Sequence, residues 1–412
     1  MNYKEPPLPA KLLELDLTKK ITPVWGTEKH ERIYILVRYD REPIGWLSVS
    51  NIRKSPVISA ERLRDAITKR LSWPLAQAML RAKNRINGAP EDTLAPISVV
   101  LCTRDRTDLL SGCLRALQSL DYPRYEVIVV DNAPSNNETA QLVASLPVRY
   151  VREERPGLDW ARNRGIAEAR HSIIAFTDDD ARPDYNWLRA IGSAFLDSEV
   201  MAVTGLVAPA ELETAAQQVF EFGYGGMGKG FRRRMFRLRD ITQRELLWAH
   251  MFGVGANMAF RRELFAVIGS FDVALDVGTP SGSGGDLDML HRVVAKGYTL
   301  VYEPAALVWH IHRRSSSVHR RQLFDNGRGF GSYLFTCLRN GNVSRISILY
   351  FAMWDWLGWW LLRRLLRPRG FPRRMIMAEL LGALRSPIAY MAAQVHAKKI
   401  VTRFGTEHKH AT

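Results

Sequence analysis

Cysteine is scarce, with only Cys102, Cys113 and Cys337 in 412 residues. So few, so irregularly spaced, exclude a disulfide framework and a cysteine zinc site and point to a reducing, cytoplasmic setting. The amino terminus, with Lys4, Glu5, Pro6, Pro7 and Pro9, lacks the apolar run of a signal peptide. Toward the other end, residues 346–362 form an apolar stretch of 17 residues interrupted by Asp355 and Gly358. A spanning helix needs about 20 apolar residues and tolerates a central carboxylate poorly. Acids are also scarce there: residues 313–412 hold 18 Lys plus Arg against 4 Asp plus Glu. The whole chain carries 58 basic and 42 acidic side chains, so nearly all of its net charge of +16 belongs to this tail. A body close to neutral does not carry the electrostatic footprint of a nucleic-acid binder.

With 46% apolar and 24% charged residues, the chain can bury a substantial core. Residues 31–50 alternate, turn and alternate again, which predicts a hairpin, and 60–83 read as an amphipathic helix. These suggest a small α+β unit over residues 1–90, with a linker at 87–96. From residue 97 the pattern changes to short β-branched runs at 97–103, 125–131, 148–152, 172–178 and 201–207, separated by helical stretches. That alternation predicts a doubly wound, mostly parallel sheet over 95–315. A helical, basic region follows over 316–412. Its four tryptophans (Trp354, Trp356, Trp359, Trp360), followed by Arg363, Arg364, Arg367, Arg369, Arg373 and Arg374, suit an interfacial helix on an anionic leaflet. A buried helix with a basic collar is the plainer alternative.

Open α/β sheets bind ligands beyond the carboxyl ends of their strands, and this sequence places acids there. Asp178, Asp179 and Asp180 directly follow a strand. Adjacent carboxylates repel, and a divalent Mg²⁺ or Mn²⁺ bound to phosphate oxygens would relieve the repulsion; an acidic helix-capping turn is the alternative. Asp131 ends another run and can accept hydrogen bonds from a base or ribose, or simply start a turn. Arg162, on a predicted polar helix, suits pyrophosphate or a carboxylate, although a solvated arginine is the default there. Asp286 follows a glycine-rich run and opens a helix, where it can act as a general base or as an ordinary cap. Asp288 can pair with Arg292 four residues on. Alternation places His310 and His312 on one face, where one can complete a metal site. The segment 223–230 mimics a phosphate-binding loop but has Gly230 where Ser or Thr must stand. With Arg232, Arg233 and Arg234 beside it, the segment reads as a lid over a phosphate-bearing donor.

Four blocks in order, at 96–106, 127–132, 176–183 and 284–292, resemble glycosyltransferase family 2, the large inverting family with the GT-A fold. The resemblance implies a metal-assisted transfer of a sugar from a nucleoside diphosphate to a hydroxyl acceptor, glycan or lipid-linked. It implies that Thr103, Asp105, Asp131, Arg162, Asp178 and Asp179 hold the donor, that Asp180 and His310 hold the metal, and that Asp286 is the base. Asn257, Gly285 and Asp288 match acceptor-side positions. Two departures stand out: Gly285-Asp286 where many relatives have Glu-Asp, and Arg104-Asp105-Arg106 where Tyr-Asn-Arg is common. A nucleotidyltransferase would need glycines after the first strand, and 103–108 has none. A non-enzymatic membrane or nucleic-acid binding protein leaves the strand-end acids unexplained. The expected setting is therefore the inner face of a membrane, with an anionic lipid surface as partner of the tail.

Overall fold

The computed structural model describes residues 10–84, 93–366 and 371–410. The expected linker falls mostly outside this set, as do Arg367 and Arg369. Five strands open the chain: β1 (Ala10–Asp16), β2 (Val24–Trp25), β3 (Arg32–Tyr39), β4 (Glu42–Ser50) and β5 (Val57–Ile58). The predicted hairpin is β3–β4, closed by Asp40 in the left-handed conformation, and β1 pairs parallel to β3. Period-two alternation sends Ile33, Ile35, Val37, Leu47 and Val49 onto Leu63, Ile67 and Leu71 of the helix Ala60–Asn84. The opposite face is not left to solvent. Leu36 and Trp46 pack on Leu206, Ala208 and Leu307 of the main sheet, and buried Arg38 meets Asp184 at 2.6 Å. The amino-terminal unit is thus docked on the body through an apolar patch and a buried ion pair.

The main sheet contains β6 (Ile97–Thr103), β7 (Tyr125–Asn132), β8 (Arg149–Glu153), β9 (Ile173–Asp178), β10 (Ala181–Pro183), β11 (Val200–Pro209), β12 (Arg234–Phe236), β13 (Asn257–Arg261) and β14 (Thr299–His310). Their order is β10-β14-β11-β13-β9-β6-β7-β8, with β12 paired to β14. Six strands run the same way; β10, β12 and β13 oppose them. The fold is therefore the expected α/β class with a mostly parallel sheet. Helices cover both faces, so a strand such as β6 is apolar along most of its length. Val100, Ile128 and Val130 face one layer, which includes Ala161 and Ile166 of the helix Leu158–Glu168. Val99, Leu101, Val127 and Val129 face the helices Thr107–Gln118 and Trp187–Ala194.

The carboxyl-terminal region is helical, as expected, over Ser316–Asn340, Arg345–Leu366 and Arg373–His410. Its first and last helices touch through glycine: a Cβ on Gly327 would lie 2.0 Å from the Glu379 carbonyl oxygen, and one on Gly382 2.0 Å from that of Phe324. Phe330, Tyr333, Phe351, Trp356 and Leu361 share the apolar cluster under β6 and β7. Asp355, which interrupts the apolar stretch, is buried and pairs with Arg244. Among the described residues no helix is long and apolar enough to cross a membrane.

Candidate active site

Strand register assembles the first part of the site. Thr103 at the end of β6 stands beside Asp131 of β7, and Cys102 beside Asp178 of β9. Three parallel strands therefore end together and present their last side chains to one crevice. Asp131 is fully buried. One of its oxygens accepts a hydrogen bond from Tyr150 at 2.9 Å, while Oδ1 is buried without a partner. Burial raises its pKa, and the Tyr150 hydroxyl opposes that rise. Asp105, in the left-handed conformation, accepts from the Ser135 backbone N–H at 2.9 Å and so ties the β6 loop to the β7 loop.

The three consecutive acids do different things. Asp178 stays half-buried at the strand end, its carboxyl pushed up to about 6 by burial and by Asp180. Asp179 turns the other way: it accepts from Thr103 at 2.8 Å and pairs with Arg106 at 2.6 Å, so Thr103 and Asp179 lock the loop together. Asp180 is buried, yet His310 at 3.1 Å and Arg106 at 2.7 Å hold its carboxyl well below the usual range against that burial. Arg313 approaches it at 3.5 Å. β10 pairs antiparallel with the end of β14, Ala181 opposite His310, which is what brings His310 to Asp180. His312 shares the face, with ring centroids 5.5 Å apart, but bonds Glu221 instead.

Asp178, Asp180 and His310 each offer one ligand atom, all within 4.8 Å of one another. Two hard carboxylates and an imidazole suit a divalent cation. The His310 Nδ1 atom is buried without a partner and the two carboxylates repel, both consistent with a cation at this point.

Arg162 lies behind the acids. It is not the solvated side chain a polar helix predicts: it is 4% exposed and pairs with Asp159 at 2.8 Å and Asp276 at 2.5 Å. Asp178 and Asp286 also act on its charge. Gly255 fits between it and the far side of the cleft, because a Cβ there would lie 2.7 Å from Arg162 and 3.3 Å from Asp286. Asp286 accepts from the Gly255 N–H at 2.7 Å and from the Leu287 N–H at 2.9 Å. Burial and Asp276 raise its pKa; Arg162 and the two N–H groups oppose them. The charges of Asp178 and Asp286 therefore both act on one buried arginine.

The remaining expected residues sit behind this surface. Gly285 opens the helix Gly285–Ala295, and a Cβ on it would fall 2.0 Å from Asp159. Buried Asp159 thus occupies the room a glutamate would need, which accounts for that departure from the family pattern. Buried Asp288 pairs with Arg292 at 2.7 Å, and Arg292 donates to the carbonyls of Ile268 and Ser270. Asn257 is fully buried: it accepts from Trp187 at 2.8 Å and donates to the carbonyls of Leu206 and Ala306. None of the three reaches the crevice as a free polar group. Sequence reasoning missed Arg106, Asp276 and Tyr150, whose partners lie on other elements, and Asp159, which pairs with Arg162 on its own helix. Lys229 belongs to the segment expected as a lid over the donor; burial pulls its ammonium down to about 8 while Asp286 and Glu221 act in the other direction.

Residues 98–269 match the family described as glycosyl transferase family 2. The chain is 26% identical over 245 residues to glycosyltransferase AglE of Haloferax volcanii, covering 58% of this chain and 73% of that protein. It is 26% identical over 260 residues to a pre-mycofactocin glycosyltransferase of Mycobacterium tuberculosis, covering 61% of this chain but only 50% of that protein. Among solved structures, a mannosyltransferase from Pyrobaculum calidifontis in complex with GDP-Man and Mn²⁺ aligns over 84% of this chain and 89% of its own, at 17% identity and a TM-score of 0.46. Residues 98–269 thus carry a glycosyl transferase family 2 domain, and the chain is a glycosyltransferase enzyme.

Proposed function

We propose that the enzyme transfers a sugar from a nucleoside diphosphate donor to a hydroxyl acceptor with inversion at the anomeric carbon. The observation that carries this reading is the cluster of Asp178, Asp180 and His310 at the strand ends, with Asp178 and Asp286 both acting on the buried Arg162. Asp131, with an unpartnered buried oxygen, receives the nucleoside. Asp178, Asp180 and His310 would hold a divalent cation, Mg²⁺ or Mn²⁺, which when bound neutralises the diphosphate leaving group. Asp286 takes the acceptor proton, the acceptor oxygen bonds to the anomeric carbon, and the bond from that carbon to the diphosphate breaks with its electron pair. Two backbone N–H groups fix the orientation of the Asp286 carboxylate, and burial strengthens it as a base. Thr103, Arg106 and Asp179 position the metal-side loop, and Arg162 holds the acids of both walls in register.

The acceptor class that fits best is lipid-linked, handled at an anionic membrane surface. Trp354 and Trp359 are 68% and 60% exposed, with Met353 and Leu366 beside them and Arg363 stacked on Trp359. Along the last helix Met377, Leu381, Leu384, Ile388, Met391 and Val395 form an exposed stripe at three- and four-residue spacing, and the exposed charges Arg373, Arg374, Arg385, Lys398 and Lys399 are all basic. Apolar area with flanking cations binds anionic interfaces. A relative of the chain is named as a glucosyl-dolichyl phosphate glucuronosyltransferase.

Titration of UDP, GDP and dTDP into the protein with Mn²⁺ tests the donor side. One of them should bind in Mn²⁺, lose most of its affinity in EDTA, and lose it again in Asp180→Ala. Equal binding with and without the cation contradicts the metal assignment. Asp286→Asn should keep that nucleotide affinity and lose roughly 10²–10⁴-fold in transfer.

A further inference from the structure

A second cavity, of about 760 Å³, opens between the amino-terminal unit and the loop before β12. One wall is Trp46 of β4 with Leu71 and Arg81 of the first helix; the other is Lys229 and residues 231–234. Five of its thirteen lining residues are Arg or Lys and none is acidic, which fixes the sign of what it takes. Arg81 and Arg233 already carry carboxylate partners, Glu42 at 2.5 Å and Glu303 at 3.2 Å. Lys229 and Arg232 belong to the same lining. The cavity also has an aromatic side, where Trp46 and Phe231 meet edge to face with centroids 6.5 Å apart. Tyr302 of β14 holds the loop in place, accepting from the Lys229 N–H at 3.2 Å and donating to the Gly230 carbonyl at 2.8 Å.

Its place in the sheet separates it from the donor. Asp131 sits on β7, next to the β8 edge, whereas the cavity lies against β12 and β14 near the opposite edge. Lys229 links the cavity to the chemistry, since it lines the former and its ammonium lies in the field of Asp286.

We infer that this cavity binds the phosphoryl group of the acceptor, so that the enzyme glycosylates phosphorylated acceptors whose anionic group is gripped between the amino-terminal unit and the arginine loop. The inference rests on the donor and base assignments proposed above and gives residues 10–84 a role in acceptor recognition. Guanidinium groups bind phosphate in bidentate fashion, and an aromatic wall beside them suits an apolar chain attached to that phosphate. The same phosphoryl chemistry could be offered by a lipid phosphate or by a soluble phosphorylated sugar.

The test is calorimetric, on the full chain in EDTA, with inorganic pyrophosphate and farnesyl diphosphate as probes. Both should bind without a divalent cation, and Arg232→Ser/Arg233→Ser should weaken both by roughly tenfold or more. Arg232 and Arg233 are exposed, so the thermal midpoint should hold in that variant. Trp46→Ala should weaken farnesyl diphosphate alone if the phosphate arrives on a lipid; equal affinities and a silent Trp46→Ala support the cavity but assign it to a soluble phosphate. Absence of metal-free binding, unchanged affinity in the double arginine variant, or displacement of the probe by the nucleoside diphosphate overturns the inference. Nucleotide binding in Mn²⁺, followed in parallel, should be unaffected by these substitutions; its absence in the wild type would remove the donor assignment and leave the cavity result standing.

Discussion

Replacing Arg162 by Met should cost more stability than any other single change in the cleft, and the cost should depend on pH. The guanidinium is 4% exposed and contacts Asp159 and Asp276 at 2.8 and 2.5 Å, with Asp178 and Asp286 also within its field. Each such contact is worth about 4 kcal/mol at an effective dielectric near 20, and desolvation of the guanidinium offsets much of that. In the variant the offset disappears but the carboxylates stay buried, so the net loss should be about 3–5 kcal/mol at pH 8. Burial already raises the Asp159 and Asp286 carboxyls above their usual range, and losing the cation raises them further. A carboxyl whose folded-state pKa exceeds its unfolded value makes the folded state bind more protons, so stability is gained as pH falls through the raised value. The deficit of Arg162→Met should therefore be largest at pH 8 and shrink by pH 5.5. Differential scanning fluorimetry at both values reads this as a midpoint lowered by roughly 5–10 °C at pH 8 and by clearly less at pH 5.5. Adding Asp276→Asn should restore part of the loss, because one uncompensated charge is removed. A deficit below about 1 kcal/mol, or one that does not change with pH, would refute the idea that Arg162 is the electrostatic centre of the cleft and return it to a direct donor contact.

Three other outcomes are expected. Gly329→Ala places a Cβ 1.9 Å from the Ser283 hydroxyl and 2.5 Å from its carbonyl oxygen, which must shift the loop leading into Asp286; a displacement near 1 Å can cost about 10²-fold in kcat. Unchanged kcat in that variant would mean the loop relaxes without moving the base. Trp354→Glu/Trp359→Glu should abolish co-flotation with phosphatidylglycerol vesicles and leave the thermal midpoint in place, since both rings are exposed; wild-type flotation would exclude that face from lipid contact. In the same assay Leu384→Glu/Ile388→Glu should reduce flotation if the stripe on the last helix also lies on the bilayer, whereas a shift from dimer to monomer on that substitution would identify the stripe as a self-association surface instead.

What could be read from the sequence was whatever depends on local pattern. The hairpin, the first long helix and the strand 97–103 appear where alternation and β-branched runs place them, because each is set by neighbours within a few residues. The acids at strand ends were legible for the same reason: Asp131 and Asp178 follow apolar runs that must be strands. β13 was not legible as a strand. Its five residues enter the sheet antiparallel between β9 and β11, and so short a run carries no period of its own. The partners of Arg162 were hidden for a different reason. Asp276 lies 114 residues away, and a polar helix looks solvated until a second element covers it. The same applies to Arg106 with Asp179 and Asp180, whereas His310 with Asp180 was implied by the family resemblance, and the two meet because β10 pairs with β14.

The carboxyl-terminal helices are packed into the body of the fold and against the loop before Asp286, and do not form an attached tail. Ser283, three residues before Asp286, donates to the Asp325 carbonyl, and a Cβ on Gly284 would lie 2.8 Å from the Gly329 carbonyl oxygen. Close packing against the helix Ser316–Asn340 thus sets where the loop that leads into Asp286 stands. That helix is in turn held against Arg373–His410 by glycine contacts, and the apolar segment between them buries Phe351, Trp356 and Leu361 in the core shared with the sheet. Removing residues 340–412 would consequently open that core, and a loss of vesicle binding after such a truncation would say nothing specific about lipid. Point substitutions at exposed Trp354 and Trp359 separate the two effects, because those rings contribute area to solvent while their neighbours Trp356 and Asp355 supply the packing. The arrangement also connects surface and chemistry: Arg364 stacks on Trp360 and donates to the Gly223 carbonyl, at the start of the loop that carries Lys229 toward Asp286.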